Sequence, residues 1–229
     1  MTLTIHETLE QGEPEWFDAR RGLITSSELD RIMTPGTHKP ANNDKTRQHV
    51  YELAAQRINQ YVEPSYVGDN MLRGWADEIK ARERYAELKA PVVEVGGMVR
   101  QFETFKLWCS PDGLVGDDGG IECKSRIQKY QLQTIASNEV PQEYVLQIQA
   151  ALLVSGRKWW DFISYSAGMP MWIIRVETDL VVQQAIIDAC VSFEAKVQEV
   201  MNQYQERIDN LGGDVILTER EIEQEIYLG

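Results

Sequence analysis

The sequence predicts an α/β protein, and three observations carry that reading. Short runs rich in β-branched and aromatic residues gather between positions 92 and 124 and again between 159 and 176, each bounded by Gly, Pro, Asn or Asp; such runs are strand signals. Longer stretches at 44–59, at 69–88 and from Asp179 to about 210 carry apolar residues at helical spacing. At 229 residues the chain can bury one sizeable core, and the usual size of domains argues against two independent ones. We therefore expect a single domain over 1–212 and a C-terminal extension, 213–229, packed on or beside it.

Composition narrows the function classes. No stretch resembles a signal peptide, and no apolar run approaches the length needed to cross a bilayer, so a cytoplasmic protein without a membrane partner is expected. Cys109, Cys123 and Cys190 are odd in number and lack zinc-site spacing, which favours free thiols in a reducing compartment. The net charge of −13 argues against a generic nucleic-acid coat, because non-specific DNA binding relies on Lys and Arg neutralising phosphates. A local basic path within an acidic protein is still compatible with a nuclease. The tail skews the total, since 211–229 sets Arg220 against Asp214, Glu219, Glu221, Glu223 and Glu225.

Taken in order, residues 14–21 form a short helix candidate in which Trp16 and Arg20, four apart, share a face. Thr25, followed three residues later by Glu28, fits a capping box, so a second helix is expected from there to about Met33. Helix-terminal amides beside Ser26, Ser27 and Arg20 would form an anion site, although simple capping explains the same residues. Residues 34–43, with Pro35, Gly36 and Pro40, read as a loop. A helix over 44–59 follows, 64–68 breaks it, and the next runs over about 69–88, with Leu72, Trp75, Ile79 and Leu88 available for burial.

Residues 92–95, 98–102 and 106–114 read as successive strands leading to a further strand that ends at Lys124. Between the last two lies Val115-Gly116-Asp117-Asp118-Gly119, a turn signal that sets Asp112 and Glu122 on adjacent strands. Side chains alternate along a strand, so Glu122 and Lys124 share a face and Cys123 points away. Two carboxylates suit Mg²⁺, which prefers hard oxygens plus water and substrate phosphate. A lysine beside the cation, its pKa lowered by it, could orient or deprotonate water and favour developing negative charge. A Glu-x-Lys triplet alone is weak, arising by chance on the order of once in a chain of this size. The chain holds four. Those beginning at Glu78, Glu87 and Glu194 lie in helical stretches, where residues two apart do not face each other; only Glu122-Cys123-Lys124 has strand context and an upstream Pro111-Asp112.

A polar, glutamine-rich helix is expected over 125–136. Another begins at Pro141, with Tyr144, Val145, Ile148 and Leu152 facing the core and Gln142 and Gln149 nearer the edge. Strands over 159–165 and 171–176 flank a Gly168-Met169-Pro170 turn. Asp179 caps a long helix ended by Leu211-Gly212-Gly213, and the tail holds a short strand at 215–217 and a last helix.

Several separated motifs, in this order, resemble the phage lambda exonuclease family of YqaJ-like viral recombinases and alkaline exonucleases. They are Trp16 with Arg20-Arg21-Gly22, Ile24-Thr25-Ser26-Ser27-Glu28, Gly74 with Glu78, Cys109-Ser110-Pro111-Asp112-Gly113-Leu114, Glu122-Cys123-Lys124 and Gln147-Ile148-Gln149. The resemblance spans about 16–212. One departure is Ser125-Arg126 after Lys124, where the family commonly has a proline.

The resemblance implies a restriction-endonuclease-like core, a central mixed sheet flanked by helices, and a homotrimeric ring around duplex DNA. It implies Mg²⁺-dependent, processive 5′-to-3′ digestion of double-stranded ends carrying a 5′-phosphate, leaving 3′ overhangs for a phage single-strand annealing protein. Two Mg²⁺ ions are implied, with Mn²⁺ able to substitute. Asp112, Glu122 and the Cys123 carbonyl would bind metal, Lys124 would position water and Glu78 would assist from the outer shell. Arg20, Ser27, Ser110 and Gln149 would hold the 5′-phosphate, with Thr25 in support, while Lys39, Lys45, Arg47 and Lys129 would line the channel. The competing readings are an endonuclease on the same core and a non-enzymatic DNA-end or recombination adaptor.

Overall fold

The computed structural model describes residues 2–64 and 68–220. Two four-stranded mixed sheets organise it. In the first, β1 (Thr2–His6), β5 (Gly97–Gln101), β6 (Lys106–Cys109) and β2 (Ile24–Thr25) lie side by side in that order; β6 and β2 run parallel and the other pairs antiparallel. The second has the order β10 (Trp172–Glu177), β9 (Trp159–Tyr165), β8 (Gly119–Ser125), β7 (Gly113–Val115), with β8 and β9 parallel. A β-meander-like central region with helices on its faces is the α/β, restriction-endonuclease-like arrangement expected, built here as two sheets.

The continuous strand expected over 106–114 is broken. Pro111 has no N–H to give a ladder, and Ser110-Pro111-Asp112 is the step by which the chain leaves the first sheet and enters the second. The strand expected at 92–95 is reduced to one bridge between Val93 and Leu114. β1 lies outside the strands expected from the sequence; its five residues are exposed or half-buried and none is in the core. A two-residue pair, β3 (Met33–Thr34) with β4 (Lys39–Pro40), closes the loop expected over 34–43.

The helices are α1 (Pro14–Arg20), α2 (Asp44–Asn59), α3 (Asp69–Leu88), α4 (Gln128–Ser137), α5 (Gln142–Ser155) and α6 (Leu180–Leu211). Asn43 caps α2 through Thr46 N–H, and Asp179 caps α6 through Val181 and Val182 N–H. The capping box expected at Thr25 does not form. Residues Ser26–Arg31 make a 3₁₀ helix, and the Thr25 hydroxyl donates to Glu28 Oε2 at 2.9 Å rather than accepting a backbone N–H.

The larger core, with Leu107, Ile148, Leu152, Phe162, Ile186 and Phe193, joins the first sheet to α5 and α6. A smaller one, with Ala81, Tyr85, Ile121, Cys123 and Ile163, lies between α3 and β8–β9. The rotation of α3 corrects the sequence reading. Asp77, Ala81 and Tyr85 are buried, four apart, whereas Leu72, Trp75, Ile79 and Leu88 are exposed. Two hydrogen bonds fix that rotation: Tyr85 Oη donates to Asp161 Oδ2 at 2.7 Å, and Ser125 Oγ donates to Asp77 Oδ2 at 2.6 Å. The strand expected at 215–217 is absent; Ile216 and Leu217 are exposed beyond the 3₁₀ turn Gly212–Asp214. The final helix and most of the acidic tail fall in 221–229, and part of the break at 64–68 falls in 65–67, outside the described residues.

Gly97 lets the fully buried Trp108 ring lie directly against β5: a Cβ there would overlap the indole. Gly97→Ala should therefore lower stability by about 1–3 kcal/mol through overpacking. Gly213→Ala, where a Cβ meets open space, should fall within about 0.5 kcal/mol of wild type. Denaturant unfolding of both variants checks the contrast, and equal losses would contradict it.

Candidate active site

The switch from β6 to β7 places Asp112 against β8. The Cys123 backbone N–H donates to Asp112 Oδ2, which pins the step between sheets to the strand carrying Glu122 and Lys124. Along β8 the side chains alternate as expected: Cys123 enters the smaller core, and Glu122 and Lys124 occupy the other face. Lys124 Nζ lies 2.5 Å from Glu122 Oε1, and Gln147 Nε2 of α5 donates to the same oxygen at 2.6 Å. From α3, Glu78 reaches the same region. Arg82, one turn on, pairs with Glu78 Oε1 at 3.2 Å, donates to the Asp112 carbonyl at 3.3 Å and pairs with Glu94 at 2.8 Å.

A cavity of about 180 Å³ lies among these groups; Glu78, Asp112, Glu122, Lys124 and Gln147 line it together with Arg20, Thr25, Ser27 and Ser110. It opens into a cleft of about 1510 Å³, whose walls include Arg20, Thr25, Glu78 and Asp112. One enclosure thus brings together all the predicted site residues except Cys123, whose thiol lies behind β8, and Gln149.

Gln149 is a correction. Its side chain is buried, donating from Nε2 to the Glu177 carbonyl at 2.8 Å and accepting the Asp179 N–H at 2.9 Å. It fastens the β10–α6 connection instead of facing the cavity. Gln147 occupies the cavity wall in its place. The two are about 200° apart on a helix, so only one can face β8. The sequence carried both glutamines, and the helical register that decides between them follows from the burial of Ile148 and Leu152.

Electrostatics explain what the cavity lacks internally. Burial raises the Asp112 pKa well above the usual carboxylate range, with Glu122 and Glu78 adding to the rise against Lys124 and the Cys123 N–H. Burial also raises Glu78, with Arg82 opposing and Glu122 reinforcing. Burial alone would lower the Lys124 pKa, but Glu122 and Asp112 outweigh it and hold the group as an ammonium. Burial pushes the Cys123 thiol up, as do the neighbouring carboxylates, which makes it an inert core side chain. Crowded, dehydrated oxygens of this kind fit a hard divalent cation, whose charge would replace the missing compensation. Among the described residues the carboxylates of Glu78, Asp112 and Glu122 do not all come within 4.8 Å of one another; it is a different group, Glu28, His49 and Glu52, that brings its ligand atoms that close. There the compensation is already present, because Arg31 donates to Glu28 at 2.8 Å and to Glu52 at 2.6 Å.

Elsewhere in the cavity lining the Arg20 guanidinium lies 4.3 Å over the Trp16 ring and 3.9 Å from Glu28. Among the described residues it makes no hydrogen bond, and burial lowers its pKa against the pull of Glu28. Ser27 Oγ stands 3.4 Å from Thr25 Oγ1. An arginine and three hydroxyls facing one cavity can receive an anion.

Comparisons with known proteins bear on the family and the fold. Residues 15–158 match the model of the YqaJ-like viral recombinase domain. The alkaline exonuclease LHK-Exo from Laribacter hongkongensis is similar at 29% identity and a TM-score of 0.77, covering 87% of this chain and 100% of its own. The structure of LHK-Exo in complex with dAMP matches over the same shares at 30% identity. A phage-related exonuclease from Haemophilus somnus shares the fold, with 12% identity, a TM-score of 0.57 and coverage of 80% and 96%. A search of curated proteins returns no match.

Two expectations follow. The Asp112 carboxyl titrates above its unfolded value, so its cost to the metal-free fold is absent at low pH and grows as pH rises through the raised pKa. Asp112→Asn should therefore raise the melting temperature in EDTA at pH 7 and lose that advantage at about pH 3; no gain at pH 7 contradicts it. Gln149→Ala should lower stability by about 1–3 kcal/mol, because it removes two hydrogen bonds that tie the β10–α6 connection, each worth about 0.5–1.5 kcal/mol. Gln147→Ala should weaken divalent-cation affinity by about tenfold, as loss of an outer-shell contact does. Calorimetric titration and melting separate the two, and a reversed pattern would restore Gln149 to the cavity.

Proposed function

The chain belongs to the YqaJ-like viral recombinase family, whose members serve as nucleases in recombination, and from that premise we propose that it is a processive 5′-to-3′ exonuclease. Its substrate is the end of a DNA duplex bearing a 5′-phosphate, its product a 3′ overhang for a phage single-strand annealing protein, and its setting the host cytosol. No described helix is long and apolar enough to cross a membrane. The observation that carries the proposal is the shared cavity, lined both by the carboxylates with Lys124 and by Arg20 with its hydroxyl neighbours. The dAMP complex of LHK-Exo supports a mononucleotide as the product released.

Asp112, Glu122 and the Cys123 carbonyl would hold Mg²⁺, in one or two sites, with Mn²⁺ as substitute and Glu78 acting from the outer shell. Bound there, the cation supplies Lewis-acid polarisation of the scissile phosphate. The remaining work belongs to the chain. Lys124, charged and fixed by Glu122 at 2.5 Å, orients water toward phosphorus and favours the negative charge that develops as water adds and the P–O3′ bond breaks. Arg20 and Ser110, supported by Ser27 and Thr25, hold the terminal 5′-phosphate and so set which bond meets Lys124. Arg82 keeps Glu78 and the Asp112 peptide in register. A homotrimeric ring accounts for processivity and lets an acidic chain present Lys39, Lys45, Arg47 and Lys129 to DNA inside its channel, with 1–212 as the catalytic domain and 213–229 as an appendage.

Release of mononucleotides from a linear duplex with 5′-phosphates in Mg²⁺ tests the proposal. We expect Lys124→Ala to slow it by about 10²–10⁴-fold and EDTA to abolish it. Intact phosphorylated duplex after incubation with wild type, or equal cutting of closed circles, overturns the exonuclease reading.

A further inference from the structure

Ser110 has an unusual pair of partners. Trp108 Nε1 donates to its Oγ at 2.9 Å, and Trp16 Nε1 donates to the same atom at 3.1 Å while sharing its proton with the Gly96 carbonyl at 2.9 Å. The two indoles come from different parts of the chain: Trp108 is fully buried on β6, and Trp16 is on α1. A serine hydroxyl has two acceptor lone pairs and one proton, and an indole N–H can only donate. With both lone pairs taken, Ser110 has no acceptor capacity left. Its proton has to point elsewhere, and the remaining open side of Ser110 is the cavity shared with Arg20, Thr25 and Ser27.

We propose that Trp16 and Trp108 are positioning residues that turn Ser110 into an obligate hydrogen-bond donor and thereby set the selectivity of the pocket for a phosphoryl end. The inference rests on the exonuclease reading above and adds a cause for its end preference. A hydroxyl free to rotate could accept from a 5′-hydroxyl, from water or from a neighbouring amide. One locked as a donor is matched to an oxygen that carries charge and no proton, and hydrogen bonds to charged acceptors are about twice as strong as neutral ones. The locked oxygen also cannot ligate the cation at Asp112, two residues away, so the anion and cation halves of the cavity stay chemically separate. Trp16 couples the pocket a second way, since the ring whose edge holds Ser110 carries the Arg20 guanidinium on its face at 4.3 Å.

The experiment measures the ratio of initial rates on duplexes with 5′-phosphoryl and 5′-hydroxyl ends, together with KM and kcat for each. Trp108→Phe removes one N–H and keeps most of the ring. We expect its ratio to fall about three- to tenfold, the worth of one hydrogen bond, with the loss in KM for phosphorylated ends. Ser110→Ala should lower the ratio at least as far, and in that background Trp108→Phe should change the ratio no further. Additive effects of the two substitutions, or an unchanged ratio in Trp108→Phe beside a reduced one in Ser110→Ala, overturn the inference and leave the exonuclease reading standing. A wild-type ratio near one overturns the phosphate pocket itself. Should Trp108→Phe fail to fold by circular dichroism, wild-type protein with ¹⁵N-labelled indoles carries the test. Two indole N–H resonances should shift together on titration with inorganic phosphate and stay still in Ser110→Ala; no shift in wild type is contrary to the proposal.

Discussion

Three carboxylates, two buried and one half-buried, lining one small cavity are the constraint on which the rest of the structure turns. Burial, with Glu122 and Glu78 beside it, raises the cost of ionising Asp112, and burial with Glu122 does the same for Glu78; Lys124 and Arg82 offset only part of it. A fold does not hold such a group together for stability, since buried charge without full compensation costs free energy. The scaffold supplies the force that holds them. The broken strand at Pro111, the Cys123 N–H on Asp112 and the two bonds that fix α3, Tyr85 to Asp161 and Ser125 to Asp77, each keep one carboxylate from relaxing away from the others. In the proposed reaction a divalent cation would turn that cost into affinity.

The two acidic groups of the molecule show why carboxylate counting is a poor guide to cation sites. Glu28 and Glu52 with His49 satisfy the distance requirement, yet Arg31 lies between the carboxylates and Thr25 donates to Glu28. That cluster is a brace between the 3₁₀ turn and α2 in which Arg31 and Arg20 together offset Glu28 and Glu52. In the cavity three carboxylates face two cations, Lys124 and Arg82, and one negative charge is left over. The deciding quantity is charge left over after the protein's own partners have been counted.

Much of the candidate site was legible in the sequence because strand alternation is local. Glu122 and Lys124 share a face, and Cys123 turns away, from period two alone. The Pro-Asp step was legible as a motif, but its role as the junction of two sheets was not, since strand pairing is set by partners far along the chain. Helical rotation was the other failure. Apolar residues on α3 suggested a buried Leu72, Trp75, Ile79 face, whereas polar anchors at Asp77 and Tyr85 decided it, and their partners Ser125 and Asp161 lie 48 and 76 residues away. Choosing Gln147 over Gln149 needed the same information. Thr25 and Glu28 had the spacing of a capping box, but the carboxylate was claimed by the threonine hydroxyl and by Arg31. Trp16 was legible as sharing a face with Arg20, but the contact of Trp16 and Trp108 with Ser110 appears only in three dimensions.

The most direct measurement of the central claim is an anomalous-difference map from a crystal of the protein soaked in Mn²⁺. The account predicts density within coordinating distance of Asp112 and Glu122, facing the cavity that contains Lys124 and Arg20, and none at Glu28, His49 and Glu52. Density at the latter group with an empty Asp112–Glu122 cavity would contradict it.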